Sequence, residues 1–206
     1  MISIQSIASS LHKQLDHVAP LENVLSFAKR QRRTRKRTMT LHLVPVGGIL
    51  DWNEFGDEAL SAIVLACYDA DSCSFQTVAT VDYTDEMKSA LEELSDYMRP
   101  NKDNSYDMGA TCTMMCDIWF DPVQVWEVEA GIQYLRRSDN FTAATLKSGE
   151  SGQGIGFVSR ETESSSCVRF VRSCCDEWDG IGVEEATTSD FVLRTFVEES
   201  SPFADR

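Results

Sequence analysis

Apolar residues recur through the segment from residue 39 to residue 83, as a strongly apolar run in residues 60–69 and in alternation with polar residues in 75–83, and this pattern predicts three consecutive strands. Neighbouring side chains of a strand point to opposite faces, so alternation is typical of a strand with one buried face. The first strand is expected to end at Gly47-Gly48, and DADSCS is a turn signal between the second and third. The predicted strands are MTLHLVPVGGIL (39–50), LSAIVLACYD (60–69) and FQTVATVDY (75–83).

Residues 84–98 change to a helical spacing. Met87, Leu91 and Leu94 recur at intervals of three or four, which places them on one face of a helix. Thr84 is a suitable N-cap, and the acidic residues that follow it interact favourably with the helix dipole. We therefore predict a helix that buries this apolar stripe.

Two more strands and a second helix are predicted in the remainder of the chain. DIWFDPVQVWEVEAG (117–131) places two tryptophans around a Phe-Asp-Pro turn, and an alternating run follows. SCVRFVRS (166–173) is a plausible fifth strand. The segment TTSDFVLRTFVEE predicts a closing helix with Thr187 or Thr188 as its N-cap.

The predicted order of elements is three strands, a helix, two strands and a final helix. In the five-stranded OB-type Greek-key barrel a helix commonly lies between the third and fourth strands. We therefore predict that residues 38–206 form a mainly β domain of this type, with a helix between strands 3 and 4 and a C-terminal helix. A generic α+β domain shows the same order, so the order alone leaves that alternative open.

The first 37 residues form a separate N-terminal part. Residues 2–18 place apolar side chains at helical spacing and predict a short amphipathic helix. Residues 29–37, KRQRRTRKR, carry seven basic side chains in nine positions. Such a run is typical of a nuclear-import signal or an arm that binds a polyanion, although a solvated linker can have the same composition. This basic arm consists of Lys29, Arg30, Arg32, Arg33, Arg35, Lys36 and Arg37.

Charge is distributed unevenly between the two parts. Residues 1–37 have a charge balance of +6 and residues 38–206 one of −20, within a net charge of −14. An acidic body repels phosphate backbones, so any nucleic-acid role has to overcome this repulsion. The apolar runs are too short for a membrane span, and the seven scattered cysteines are expected to be reduced thiols of an intracellular protein.

The cysteine spacings do not favour a metal site. Cys112 and Cys116 are separated by three residues, and Cys174 and Cys175 are adjacent, whereas common zinc sites use a two-residue spacer. The three histidines lie within the first 42 residues, far from the last cysteine pair. We therefore expect buried or half-buried thiols and no metal.

Motifs for phosphate binding and nucleophilic catalysis are incomplete. SGESGQGIG (148–156) lacks the Lys-Ser/Thr that completes a phosphate-binding loop, so it predicts a flexible loop. EWDG (177–180) places Glu177 where nucleotidyltransferases have the lysine nucleophile of Lys-x-Asp-Gly, and that motif occurs nowhere in the chain. The C-terminal half has no histidine, which argues against a serine-hydrolase triad.

Four segments, in chain order, resemble the C-terminal OB domain of eukaryotic ATP-dependent DNA ligases, most closely the replicative type. IWFDPVQVWEVEAGI is the most specific of them, because it nearly matches the family's VWFEPVQVWEVKAADL. The resemblance runs from about Thr40 to Phe196. The other three segments are TLHLVPVGGIL, VLACYDADSCSFQTVATVDYTDEMKSALEEL and RFVRSCCDEWDGIGVEEATTSDFV.

The resemblance implies a clamp-like ligase module that acts on nicked duplex DNA with ATP and Mg²⁺. In that family the OB domain follows an adenylation domain, which carries the catalytic lysine, and the OB domain alone does not seal nicks. Arg172 and Asp176 match the first Arg and the Asp of the family's closing Arg-x-Arg-x-Asp-Lys motif, which contacts the triphosphate, and Arg169 lies just before it. We expect that this chain alone binds neither ATP nor Mg²⁺.

The chain also departs from the family pattern at the phosphate contacts. Cys174 replaces the second Arg of the closing motif, and Glu177 replaces its Lys. A change from cation to anion reverses the sign of a phosphate contact. The loop DWNEFGDE (51–58) is acidic where the family has glycines and basic residues. These departures predict a domain that keeps the OB scaffold and is not catalytic alone.

Three functions remain open on this basis. The first is a degenerate or partial DNA ligase of replication and repair that keeps the OB domain. The second is a non-catalytic binding module, in which the acidic barrel contacts protein and the basic arm contacts nucleic acid. The third is a ligase whose adenylation domain is supplied by another chain.

Overall fold

The computed structural model describes residues 37–52, 56–102, 104–107, 116–145, 153–159, 167–174 and 180–200. Contacts divide the chain into two units, Met1–Lys36 and Arg37–Arg206. The predicted amphipathic helix, the basic arm apart from Arg37, and Asp176 lie outside the described residues. All elements below belong to the second unit.

The second unit is mainly β, as the pattern of apolar residues predicts, with two helices among its described residues. The helices are α1 (Lys88–Leu94), which short 3₁₀ turns extend at both ends, and α2 (Ser189–Ser200). The strands are β1 (Thr38–Trp52), β2 (Glu58–Asp69), β3 (Ser74–Asp82), β4 (Met98–Arg99), β5 (Tyr106–Asp107), β6 (Ile118–Phe120), β7 (Trp126–Gly131), β8 (Leu135–Ser138), β9 (Gly154–Phe157) and β10 (Val168–Ser173).

Eight of these strands form one sheet, in which the order β10-β7-β1-β2-β3-β5 defines the main path. The strand pairs on this path are antiparallel except for the short parallel pair of β3 and β5. The first part of β1 pairs with β7 and the rest pairs with β2, so β1 joins two parts of the sheet. Strands β8 and β9 form a separate antiparallel pair.

Strand β1 is longer than predicted. Gly47 and Gly48 do not end the strand, which continues to Trp52, and instead they pair with Trp119 and Ile118 of β6. A Cβ atom on Gly47 would lie 2.9 Å from the backbone oxygen of Ile118. The glycine pair therefore allows a second strand to approach β1 closely. Glycines that allow close packing and glycines that end a strand look alike in the sequence.

The sheet has buried apolar side chains on both faces. Along β2, Ile63, Leu65 and Cys67 belong to the larger core, whereas Val64 and Ala66 belong to the smaller one. Alternate residues of a strand point to opposite faces, so the two cores lie on opposite sides of the sheet at this strand. This explains the nearly continuous apolar run in β2.

Helix α1 and its preceding turn confirm the predicted apolar stripe. Met87 and Leu94 are buried in the larger core, and Leu91 packs against it. Thr84 occupies the N-cap position of the preceding 3₁₀ turn but makes no side-chain capping bond. In α2 the Oγ1 atom of Thr188 accepts a hydrogen bond from the Phe191 N–H at 3.2 Å, which selects Thr188 from the two predicted caps. Neither helix of the described residues is long and apolar enough to cross a membrane.

Part of the predicted flexible loop 148–156 is a strand. β9 begins at Gly154 and pairs with β8, so the loop prediction was wrong at its C-terminal end. Gly154 and Gly156 are both buried, and a Cβ atom on Gly156 would overlap the ring of Phe141. These glycines therefore serve close packing and not loop flexibility.

Candidate functional site

Strand β7 has an inward face that carries the scaffold and an outward face that carries charge. Trp126, Val128 and Ala130 are fully buried in the larger core. Glu127 and Glu129 alternate with them and are partly exposed. Because β7 lies between β1 and β10, both glutamates are flanked by neighbouring strands.

The inward face explains the most specific segment of the sequence. The indole N–H of Trp126 donates to Gln124 Oε1 at 2.9 Å, and Gln124 Nε2 donates to Glu93 Oε2 at 3.1 Å. The Trp126 ring also contacts the Phe170 ring edge to face, with centroids 4.9 Å apart. This network satisfies a buried indole and ties β7 to the helical segment that contains Glu93, so Trp126 and Gln124 serve the fold.

Trp119 also packs within the protein. Its ring stacks on Tyr106 with centroids 6.0 Å apart, and the Tyr106 hydroxyl donates to the backbone oxygen of Phe120. Tyr106 is buried and Trp119 is half-buried. The two tryptophans that bracket the Phe-Asp-Pro turn thus anchor two neighbouring parts of the sheet.

The outward face of β7 pairs with two arginines of β10. Arg169 donates to Glu129 at 2.9 Å, and the Arg172 Nε donates to Glu127 at 2.8 Å. We call these four residues the arginine–glutamate ladder. The hydrogen bond to Glu129 raises the pKa of the Arg169 guanidinium above its usual value.

A β-bulge makes both ion pairs of the ladder possible. The two arginines are three positions apart on β10, whereas the two glutamates are two positions apart on β7. The register shifts between Phe170 and Arg172, and this extra residue brings both arginines alongside their glutamates. Sequence alternation alone does not predict this alignment.

The ladder gives Arg169 and Arg172 carboxylate partners at the positions where the resemblance implies a phosphate contact. Both guanidinium groups already hold a carboxylate, so a triphosphate would have to displace Glu129 and Glu127 or bind beside their negative charge. Asp176 lies outside the described residues. A phosphate group at this surface would compete with Glu129 and Glu127 for the two arginines.

Arg37 is the one member of the basic arm among the described residues. Its Nη1 atom lies 2.9 Å from Glu199 Oε1, and its side chain is 61% exposed. Its backbone oxygen accepts a hydrogen bond from the Ile132 N–H at 2.9 Å. The last residue of the arm is thus fixed at its backbone, while its charge stays accessible to solvent.

The loop after β1 keeps the acidic character that the sequence indicates. Asp51, Asp57 and Glu58 are exposed, and residues 53–55 lie outside the described ranges. These carboxylates disfavour contact between this loop and a phosphate backbone.

Three potential metal ligands that are far apart in the sequence lie together on β1, β7 and the end of β10. One donor atom each from His42, Glu127 and Cys174 lies within 4.8 Å of the other two. Cys174 is buried, and the other two are half-buried. Distance along the chain does not reveal this set, because strand register brings His42, Glu127 and Cys174 together. No protein-family profile matches the chain, and no curated protein matches it.

Proposed function

We propose that the chain is an OB-type domain of the ATP-dependent DNA ligase lineage, which binds nicked duplex DNA through its basic arm and does not join DNA ends by itself. The observation that carries the non-catalytic part is the arginine–glutamate ladder. It pairs with carboxylates the arginines that a ligase would direct at phosphate, in a chain that also lacks Lys-x-Asp-Gly.

The strand order supports an OB-type barrel. A Greek key has three consecutive antiparallel strands and a fourth that returns over a long connection to lie beside the first, in the spatial order 4-1-2-3. The order β7-β1-β2-β3 has this form, with α1 in the long connection. Strand β10 extends the sheet beyond β7 and also contacts β3, as partial closure of a five-stranded barrel requires.

The charge distribution supports DNA binding by the arm. Residues 38–206 have a charge balance of −20, and the β10 arginines of the ladder are neutralised by glutamates. Residues 29–37 carry seven cations, which can neutralise phosphates and release their counterions. The same run is the nuclear-import signal in this proposal.

A titration of the full chain with fluorescently labelled nicked duplex tests the DNA role. A variant with every basic residue of 29–37 changed to glutamine should lose binding. A matched variant with the arm arginines changed to lysine keeps the charge and should retain it. For the natural chain, log K should fall against log salt concentration with a slope of about −0.9 for each phosphate contact.

Two results of this titration would contradict the proposed DNA contact. Binding that survives removal of the arm charge would contradict the arm as the DNA contact. An absence of binding in every variant would favour the alternative, a module whose acidic barrel contacts another protein.

Incubation with radiolabelled ATP and Mg²⁺ tests the non-catalytic part. The full chain should form no covalent AMP adduct, because it has no lysine in a Lys-x-Asp-Gly motif. Addition of a separately expressed ligase adenylation domain should not produce nick sealing, because Cys174 and Glu177 replace two cations of the closing motif and the ladder arginines are paired with glutamates. An AMP adduct on this chain, or nick sealing in the mixture, would overturn this part of the proposal.

A further inference from the structure

We propose that His42, Glu127 and Cys174 form a binding site for a Zn²⁺-class divalent cation. The three donor atoms lie within 4.8 Å of one another. Bonds of about 2.0–2.3 Å around a tetrahedral zinc ion place its donor atoms about 3–4 Å apart, so small side-chain rotations can close the site. Metal binding here is independent of the proposed DNA role.

Strand register brings the three residues together. His42 on β1 lies directly opposite Glu127 on β7. Ser173, the last residue of β10, pairs with Trp126, and the Cys174 N–H then donates to the backbone oxygen of Val125 at 2.8 Å. The three donors therefore come from adjacent backbone segments that the sheet holds in place.

Hydrogen bonds hold the backbone of His42 and the carboxylate of Glu127. The His42 backbone is held by Thr187 on both sides, because the His42 N–H donates to Thr187 Oγ1 at 2.9 Å and the His42 oxygen accepts from the Thr187 N–H at 2.8 Å. Arg172 holds the Glu127 carboxylate through Oε2, and a carboxylate has a second oxygen that can bind a cation. These contacts fix the backbone of His42 and the position of the Glu127 carboxylate.

The donor types select the class of cation. Zn²⁺ is bound in proteins by thiolate, imidazole and carboxylate, whereas Mg²⁺ prefers oxygen donors and keeps much of its water. On binding, the Cys174 thiol loses its proton to solvent and a metal–sulfur bond forms, without oxidation or reduction. Three protein donors leave a fourth tetrahedral position for a water molecule.

Co²⁺ is the probe, because its absorption spectrum reports a thiolate ligand. The full chain is reduced, freed of metal by dialysis and titrated with Co²⁺ or Zn²⁺. One Co²⁺ per chain should bind with a thiolate-to-metal charge-transfer band, and Zn²⁺ should displace it. A large excess of Mg²⁺ should leave the band unchanged. Absence of the band, or its loss to Mg²⁺, would overturn the proposal.

Matched variants separate this site from the other thiols, histidines and glutamates. Cys174→Ser should abolish the charge-transfer band, while His42→Gln and Glu127→Gln should raise the Kd for Co²⁺ by at least about tenfold. Circular dichroism of each variant without metal checks that the fold is retained.

The control variants keep the three ligands. They are Cys73→Ser, at an exposed cysteine, Glu129→Gln, at the other glutamate of the ladder, and the double variant His12→Gln/His17→Gln. All three should bind Co²⁺ as the natural chain does. A band that persists in Cys174→Ser, or disappears in one of the controls, would contradict the assignment.

Discussion

The two faces of strand β7 show how a scaffold and its surface chemistry can differ within six residues. On the inward face Trp126, Val128 and Ala130 are fully buried and pack with β1 and β10. On the outward face Glu127 and Glu129 are partly exposed and pair with arginines. A change on the inward face disturbs the core, whereas a change on the outward face alters charge with little effect on the fold. The resemblance to DNA ligases at Trp126, Val128 and Ala130 is therefore evidence for a shared fold. It is not evidence for a shared reaction.

Replacement of Trp126 by alanine should have the largest effect on stability. It removes a fully buried ring and its contact with Phe170, so the free energy of unfolding should fall by about 3–5 kcal/mol. Glu129→Gln, three positions further along the same strand but on the outward face, is the matched control and should leave unfolding unchanged. Urea denaturation of both variants measures the difference. If both variants lost the same free energy of unfolding, the two faces of β7 would contribute equally to stability and the proposed difference would be wrong.

Replacement of Gln124 by alanine should have a smaller effect. The change leaves the buried indole N–H of Trp126 without its acceptor, which should cost about 1–3 kcal/mol of unfolding free energy. A double-mutant cycle with Trp126→Phe, which removes the donor, isolates the hydrogen bond in the same urea experiment. Additive effects in that cycle would show that the bond does not stabilise the inward face.

Thiol reactivity should follow the same contrast between buried and exposed positions. Burial raises the pKa of the Cys167 thiol, so the unreactive protonated form persists at neutral pH and is lost only as the pH rises above the usual thiol range. Cys73 is exposed in the turn before β3. Alkylation by iodoacetamide at neutral pH, followed by mass spectrometry, should modify Cys167 at least about tenfold more slowly than Cys73. Equal rates would show that the start of β10 opens readily.

Much of the fold can be predicted from local patterns in the sequence. Apolar runs and alternation locate β1, β2, β3, β7 and β10, and helical spacing locates α1 and α2, because each pattern reflects which faces of an element are buried. The continuation of β1 through Gly47-Gly48 and the strand at Gly154 were missed. In both places a glycine serves close packing, and a local pattern does not distinguish this role from a turn or loop.

The candidate site could be predicted only in part. Arg169 and Arg172 were singled out by resemblance, but their glutamate partners depend on the bulge in β10. The cluster of His42, Glu127 and Cys174 depends on the register of three strands that are distant in the sequence. Register is set by long-range packing, so neither arrangement follows from the spacing of residues along the chain.

The affinity of an Arg169→Gln/Arg172→Gln double variant for nicked duplex DNA tests most directly whether the outward face binds phosphate. Its matched control is the variant in which the basic residues of 29–37 are changed to glutamine, and both are titrated at low salt with the natural chain. The double variant should lose only a small part of its affinity, through the added negative charge of the unpaired Glu127 and Glu129, while the arm variant should lose binding. A double variant that loses binding while the arm variant retains it would contradict the account.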